Sequence, residues 1–111
     1  VDSLWTEYHE ERLGRHVVYD IGNRGFVSYK VQGDECYIAD VFVKKEHRKK
    51  SVGKNLMNLV ESIAREKGAK FLCCMVIIDA KDADQACASA LAYGFKLRMA
   101  NANILNFWKG L

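Results

Sequence analysis

The first half of the chain alternates like a set of strands, and the second half mixes helical spacing with apolar runs. Residues around Ser3 to Leu13 predict a short helix, with Ser3 placed to cap it and Leu4, Trp5 and Tyr8 sharing a face. "HVVYDI" and "GFVSYKV" read as strands joined by the Gly-Asn-Arg-Gly turn at 22–25. Gly33 and Asp34 form a second turn, and "ECYIADVFV" a third strand, which makes an antiparallel meander. Val52, Leu56, Leu59, Val60 and Ile63 then recur at helical spacing, with Ser51 at the N-cap position and Gly68 as the stop. "KFLCCMVII" is apolar on both faces, as suits a central parallel strand. Strand, helix, strand in this order predicts a right-handed β-α-β crossover. A second helix runs from about Asp82 to Tyr93. It has an Asp82–Gln85 capping box and a stripe of Ala83, Ala86, Cys87, Ala90 and Leu91. "FKLRM" and "NILNFWKG" close the chain as two strands around an Asn-Ala-Asn turn. The fold class expected is α+β, with a mixed, mainly antiparallel sheet and flanking helices.

With 111 residues, half of them hydrophobic and none proline, the chain suits one domain over residues 1–111. Its longest apolar run, Phe71 to Ile78, is too short to span a bilayer, so a cytoplasmic protein without a membrane partner is expected. Cys36, Cys73, Cys74 and Cys87 form no CxxC pair. They read as small core thiols in a reducing compartment, with no metal site.

Charge sharpens the picture. Six of the eleven residues from Lys44 to Lys54 are lysine or arginine and one, Glu46, is acidic, so this segment carries +5 in a chain of net charge +3. A local excess calls for a local anion. The segment joins a strand to a helix N-terminus, where unpaired N–H groups and the helix dipole favour phosphate, and Gly53 lets backbone approach a ligand.

Arg48-Lys49-Lys50-Ser51-Val52-Gly53 resembles the R/Q-x-x-G-x-G/A pyrophosphate motif of the GNAT superfamily of N-acetyltransferases. Val43 before the loop and "ALAYGF" later match as well, and the order of elements resembles the family from Val17 onward. The resemblance implies acetyl-coenzyme A as co-substrate. Its pyrophosphate would be bound by the backbone of Lys49, Lys50, Ser51, Val52, Gly53 and Lys54, with Arg48 adding charge. Val41, Phe42 and Val43 would flank the pantetheine and the acetyl group, between parallel strands that splay apart. The chain departs from the pattern in places. Ser51 stands at the first glycine, which suits serine if its φ is negative, and Lys45 at a common proline. The usual tyrosine acid falls on Ala90, a coenzyme-contacting asparagine near Ala83, and a strand glutamate on Tyr37. The front of the fold is shortened, and a homodimer can complete the site.

Transfer of an acetyl group to a primary amine needs a neutral amine, an oxyanion donor and a proton for the thiolate. Asp40 and Tyr37 lie on the relevant strand, on opposite faces unless a bulge intervenes. Tyr93 can approach the thiol from the later helix. His47 reads as facing solvent or a phosphate, and Cys87 as core. Direct transfer to the amine is therefore expected. Two other functions fit the same residues. One is a coenzyme A-binding or protein-interaction domain without catalysis. The other is a nucleic-acid binder gripping phosphates through the basic loop, disfavoured because the aromatic residues are scattered away from it.

Overall fold

The computed structural model of the chain describes residues 3–111. The side chain of Ser3, expected as a helix cap, lies outside the described part. Helix α1 (Ser3–Leu13) leads into strands β1 (His16–Tyr19), β2 (Gly25–Gln32) and β3 (Glu35–Val43). A 3₁₀ turn (Lys45–His47) precedes α2 (Val52–Glu66), and β4 (Phe71–Ile77), α3 (Ala83–Tyr93), β5 (Lys96–Asn101) and β6 (Ile104–Gly110) follow. The strands form one sheet in the order β1-β2-β3-β4-β6-β5, parallel only between β3 and β4. This is the mixed, mainly antiparallel architecture that the sequence implies.

The meander is set by its turns and close contacts. Asp20 accepts hydrogen bonds from the backbone of Gly22 and Arg24 and pairs with the Arg24 guanidinium, which closes the β1–β2 connection. Gly25 has no room for a side chain, because a Cβ there would lie 2.5 Å from the Phe42 carbonyl oxygen. Gly33, at φ +60°, makes the two-residue turn between β2 and β3.

Strand register sorts the side chains. Val27, Tyr29, Cys36, Ile38, Leu72, Val76 and Phe107 point to one face and share a single core with Val52, Leu56, Met57, Val60 and Ala64 of α2 and Ala83 of α3. Phe26, Ser28, Tyr37, Asp40, Phe42, Cys73 and Met75 point to the other face. There α1 covers only the β1–β2 end, through Trp5 on Phe26 (4.7 Å between ring centroids). Beyond it Met75, Ile77, Met99 and Trp108 are exposed.

Three faces differ from expectation. α1 turns Trp5 and buried His9 inward, four residues apart, while Leu4 and Tyr8 are exposed. The α2 stripe is centred on Val60, so it takes in Met57 and Ala64 and leaves Leu59 at its edge, 45% exposed. In α3 the sheet side runs through Ala83, Cys87 and Ala90, and Leu91 is exposed. The expected capping box is absent too. Asp82 precedes α3 in a left-handed conformation (φ 62°) and its side chain makes no cap bond.

Leu56, 2% exposed, is expected to cost about 2–5 kcal/mol on replacement by alanine. Leu59→Ala should cost less than about 1 kcal/mol, because half-exposed atoms lose little transfer energy and leave no cavity. Urea unfolding of the two variants checks this, and equal losses would mean that α2 packs on a different face.

Candidate active site at the split between two strands

β3 and β4 pair only at Glu35–Phe71, Cys36–Leu72 and Tyr37–Cys73. Past that point β3 continues to Val43 on β2, and β4 to Ile77 on β6, with no pairing between the two. The sheet therefore opens into a wedge. Its lining follows from one bond: the Lys44 N–H donates to the Arg24 carbonyl at 2.7 Å. Hydrogen-bonding positions alternate along an antiparallel pair, so Phe42 and Asp40 also turn their backbone groups toward β2. Val41 and Val43 turn theirs into the wedge. Phe42 instead contributes its ring, packed on Phe26 at 5.9 Å.

The basic loop sits at the mouth of the wedge. Arg48 clips it down, with Nε donating to the Val43 carbonyl (3.0 Å) and the guanidinium 5.8 Å from the Phe42 ring centroid. Lys49 and Ser51 both adopt left-handed conformations, at φ 63° and 65°. Ser51 thus takes the conformation that glycine favours, and the condition of a negative φ that would suit serine there is not met. It is the residue before α2, as expected of an N-cap, but its side chain makes no cap bond. Its carbonyl accepts the Asn55 N–H at 2.9 Å. Among the described residues, no acceptor takes the N–H groups of Lys49, Lys50, Ser51, Val52, Gly53 or Lys54, so the loop and the first turn of α2 present a run of free donors. Lys44, Lys45, Lys49, Lys50 and Lys54 form no ion pair with any described carboxylate. His47 ends the 3₁₀ turn, half-buried. A Cβ on Gly53 would meet only Val43 Cγ2, at an ordinary 3.6 Å. Nothing in the fold itself demands glycine there.

The candidate catalytic residues divide. The register between β2 and β3 shifts at Ser28/Tyr29, so Tyr37 opposes Lys30 and Asp40 opposes Ser28. Ala39 is the extra residue of a bulge, and the bulge brings Tyr37 and Asp40 onto the same face. Asp40 accepts a hydrogen bond from the fully buried Ser28 hydroxyl (3.2 Å) and stands 3.8 Å from the Arg15 guanidinium. Burial raises the Tyr37 phenol above the usual tyrosine range, with Arg15 opposing and Asp40 reinforcing the rise. Tyr93 does not join them. Its hydroxyl donates to Asn58 Oδ1 at 2.8 Å, and burial, aided by Glu61, pushes its pKa up to about 12. Beside it Lys109 bridges to Glu61, so this cluster ties α3 and β6 to α2 at the closed end of the sheet.

Two cavities flank Tyr37 on the face opposite α2. One, about 340 Å³, is lined by Arg15, Lys30, Glu35 and Tyr37 among others. The other, about 400 Å³, adds Cys73, Met75, Arg98 and Met99. The Cys73 thiol lies 3.8 Å from the Glu35 carboxylate, and burial and that carboxylate push it up to about 11. Arg15, Ser28, Glu35 and Arg98 were not marked by the sequence, because bulges and long-range register place them.

Residues 2–95 match the family model described as the acetyltransferase (GNAT) family. No curated protein sequence matches the chain. Among solved structures, PaiA N-acetyltransferase from Thermoplasma acidophilum, in complex with coenzyme A, superposes with a TM-score of 0.78 at 17% identity, over 99% of this chain and 70% of that one. Ard1 from Thermoplasma volcanium gives 0.74 at 22% identity, over 100% and 80%. Nourseothricin acetyltransferase gives 0.68 at 26% identity, over 85% of this chain and 62% of its own.

Ser51→Gly is expected to raise stability by up to about 1 kcal/mol, since glycine adopts the left-handed conformation without a Cβ penalty. Ser51→Val should lower it, because β-branching makes that conformation worse. Urea midpoints at unchanged slope read both effects, and a less stable glycine variant would refute the strain at this residue.

Proposed function

The chain belongs to the acetyltransferase (GNAT) family, and we propose that it moves an acetyl group from acetyl-coenzyme A directly to a primary amine. The observation that carries this reading is the wedge between β3 and β4 with a cationic, donor-rich loop at its mouth. Pyrophosphate would rest on the N–H groups of Lys49–Lys54, with the lysines adding long-range attraction. Pantetheine would lie along Val41 and Val43, whose N–H groups face the gap, as does the Val41 carbonyl; the Val43 carbonyl already accepts from Arg48. The thioester would then reach the vertex, near Tyr37 and Asp40.

There the amine nitrogen attacks the thioester carbonyl. A C–N bond forms, and the oxygen gains charge opposite a backbone N–H of the Val41–Val43 segment. Collapse breaks the C–S bond and releases the thiolate. The amine's proton goes to Asp40, directly or through water, and the neutral phenol of Tyr37 can return one to the sulfur. Arg15 and Ser28 fix the Asp40 carboxylate. Tyr93 is committed to Asn58 and is assigned no proton transfer. Much of the acceleration would come from holding the pair in register, worth an effective molarity of about 10⁵ M or more.

A second reading, coenzyme A binding without turnover, is favoured by one observation: Ala90 carries no acid where the family often has tyrosine, and the nearby Tyr93 hydroxyl is already bonded. Coenzyme A binding with no thiol release across an amine panel would select it.

Gly53→Ala should fold at least as stably as wild type, because alanine is favoured over glycine in a helix by about 1 kcal/mol. It should nevertheless lose acetyl-coenzyme A affinity, and Gly53→Leu should abolish it. Calorimetric titration and thermal melts separate the two effects. Wild-type protein that gives no heat with acetyl-coenzyme A would overturn the assignment. Asp40→Asn is expected to lower turnover at neutral pH by about 10²-fold, the low end for a general base. Raising the pH should restore part of it, since more amine is then neutral. A pH–rate profile unchanged from wild type would remove Asp40 as the base.

A further inference from the structure

The sheet carries two register irregularities, and both turn an added polar side chain to the face that α2 does not cover. The first, at Ala39, brings Asp40 beside Tyr37. The second lies on β5 between Leu97 and Met99, where Arg98 is the extra residue. Leu97 opposes Phe107 on the α2 face, and Met99 opposes Asn106 on the other, so Arg98 and Met99 both reach the face that α2 does not cover. The Arg98 guanidinium stands 6.0 Å from the Trp108 ring centroid. Together with Glu35, Tyr37, Cys73 and Met75, these two side chains line the cavity of about 400 Å³.

Arg98 has no evident duty in the fold. Among the described residues no carboxylate lies within ion-pair distance of it, and it makes no hydrogen bond through its side chain. The neighbouring Cys73 thiol offers no anion, since it is pushed up to about 11. The Trp108 ring lies near the guanidinium and leaves its N–H donors free.

We propose that Arg98 binds an anionic group on the acceptor, which is therefore a small amino-acid-like amine: its nitrogen meets the thioester beside Tyr37, and its carboxylate pairs with Arg98. This rests on the acetyl-transfer reading of the same site. A guanidinium fork matches a carboxylate at two points, which fixes orientation as well as affinity. Met75 and Met99 supply an adaptable apolar wall for the acceptor's side chain. A cavity of this size lies at the small end of ligand pockets. An amine without an acid would leave Arg98 facing a second cation, which disfavours simple di- and polyamines.

Matched pairs test this: L-phenylalanine against 2-phenylethylamine, and L-lysine against 1,5-diaminopentane. Each is titrated into the protein with and without coenzyme A, with tryptophan fluorescence as the readout. The acid-bearing member of each pair should bind about tenfold or more tightly, the range for a charge-assisted bond. Arg98→Ala should erase the difference and leave the decarboxylated member within about twofold of its wild-type affinity. Arg98→Lys should keep part of the preference, because a point charge retains attraction without the fork. Equal or tighter binding of the decarboxylated members overturns the proposal, as does a preference that survives Arg98→Ala or an absence of binding by both amino acids. A parallel calorimetric titration with acetyl-coenzyme A keeps the two ideas apart. Normal heat with no discrimination between pairs rejects the acceptor class alone, whereas no heat rejects the acetyl-transfer reading itself.

Discussion

Three pairs of residues in parallel register, ending at Tyr37–Cys73, govern the rest of this molecule. Along them, β3 and β4 share a core in which Cys36 and Leu72 are fully buried beneath α2. Above them, each strand follows its other neighbour, because β2 and β6 supply continuous antiparallel partners and the two strands supply each other none. Parallel pairing is slightly the weaker kind per residue, so a short parallel stretch between two antiparallel blocks is where a sheet gives way most easily. The strands are joined at their first three residues, so the opening runs toward their C-terminal ends, while the Tyr93–Asn58 and Lys109–Glu61 contacts tie α3 and β6 to α2.

The wedge gives the two faces of the sheet different work. On one side α2 and α3 cover the core and the basic loop caps the opening. On the other, a single short helix covers β1 and β2, and the β4–β6–β5 surface stays bare. The acidic, aromatic and cationic side chains that ring the vertex all belong to that second face. The chain's net positive charge comes from the loop, which carries +5 against +3 overall, so a polyanion would be drawn to one end of the gap, while the opposite face has a mixed character.

The order and type of the α-helices and strands were legible, because period and turn chemistry are local properties. The loop was legible for the same reason: a cationic run that ends in a helix start needs no tertiary information. The faces were less so. Leu59 and Leu91 are as apolar as their buried neighbours, and only the docking angle of each helix decides which side turns inward. The φ of Ser51 was left open by the sequence, because the loop imposes a conformation that the residue itself does not prefer. The proposed catalytic residues were least legible. Strict alternation separates Tyr37 from Asp40, and the one-residue bulge that reunites them has no signature in "CYIAD" beyond a small residue at its centre. Arg98 was invisible for the same reason, and Tyr93 was drawn away by Asn58, thirty-five residues earlier in the chain.

The two left-handed residues of the loop bear on time as well as geometry. Lys49 and Ser51 commit the backbone to an unfavourable conformation when the chain folds. An arriving anion therefore meets a cradle already shaped, with little ordering left to do. Capture then becomes an encounter problem, governed by diffusion and by the field of the five lysines around the cradle. Such a rate falls as salt screens that field over about 10 Å at 0.1 M ionic strength. Release is governed by separate, short-range bonds. On the proposed function, ionic strength would act on how fast the loop fills, and scarcely on how long it stays filled.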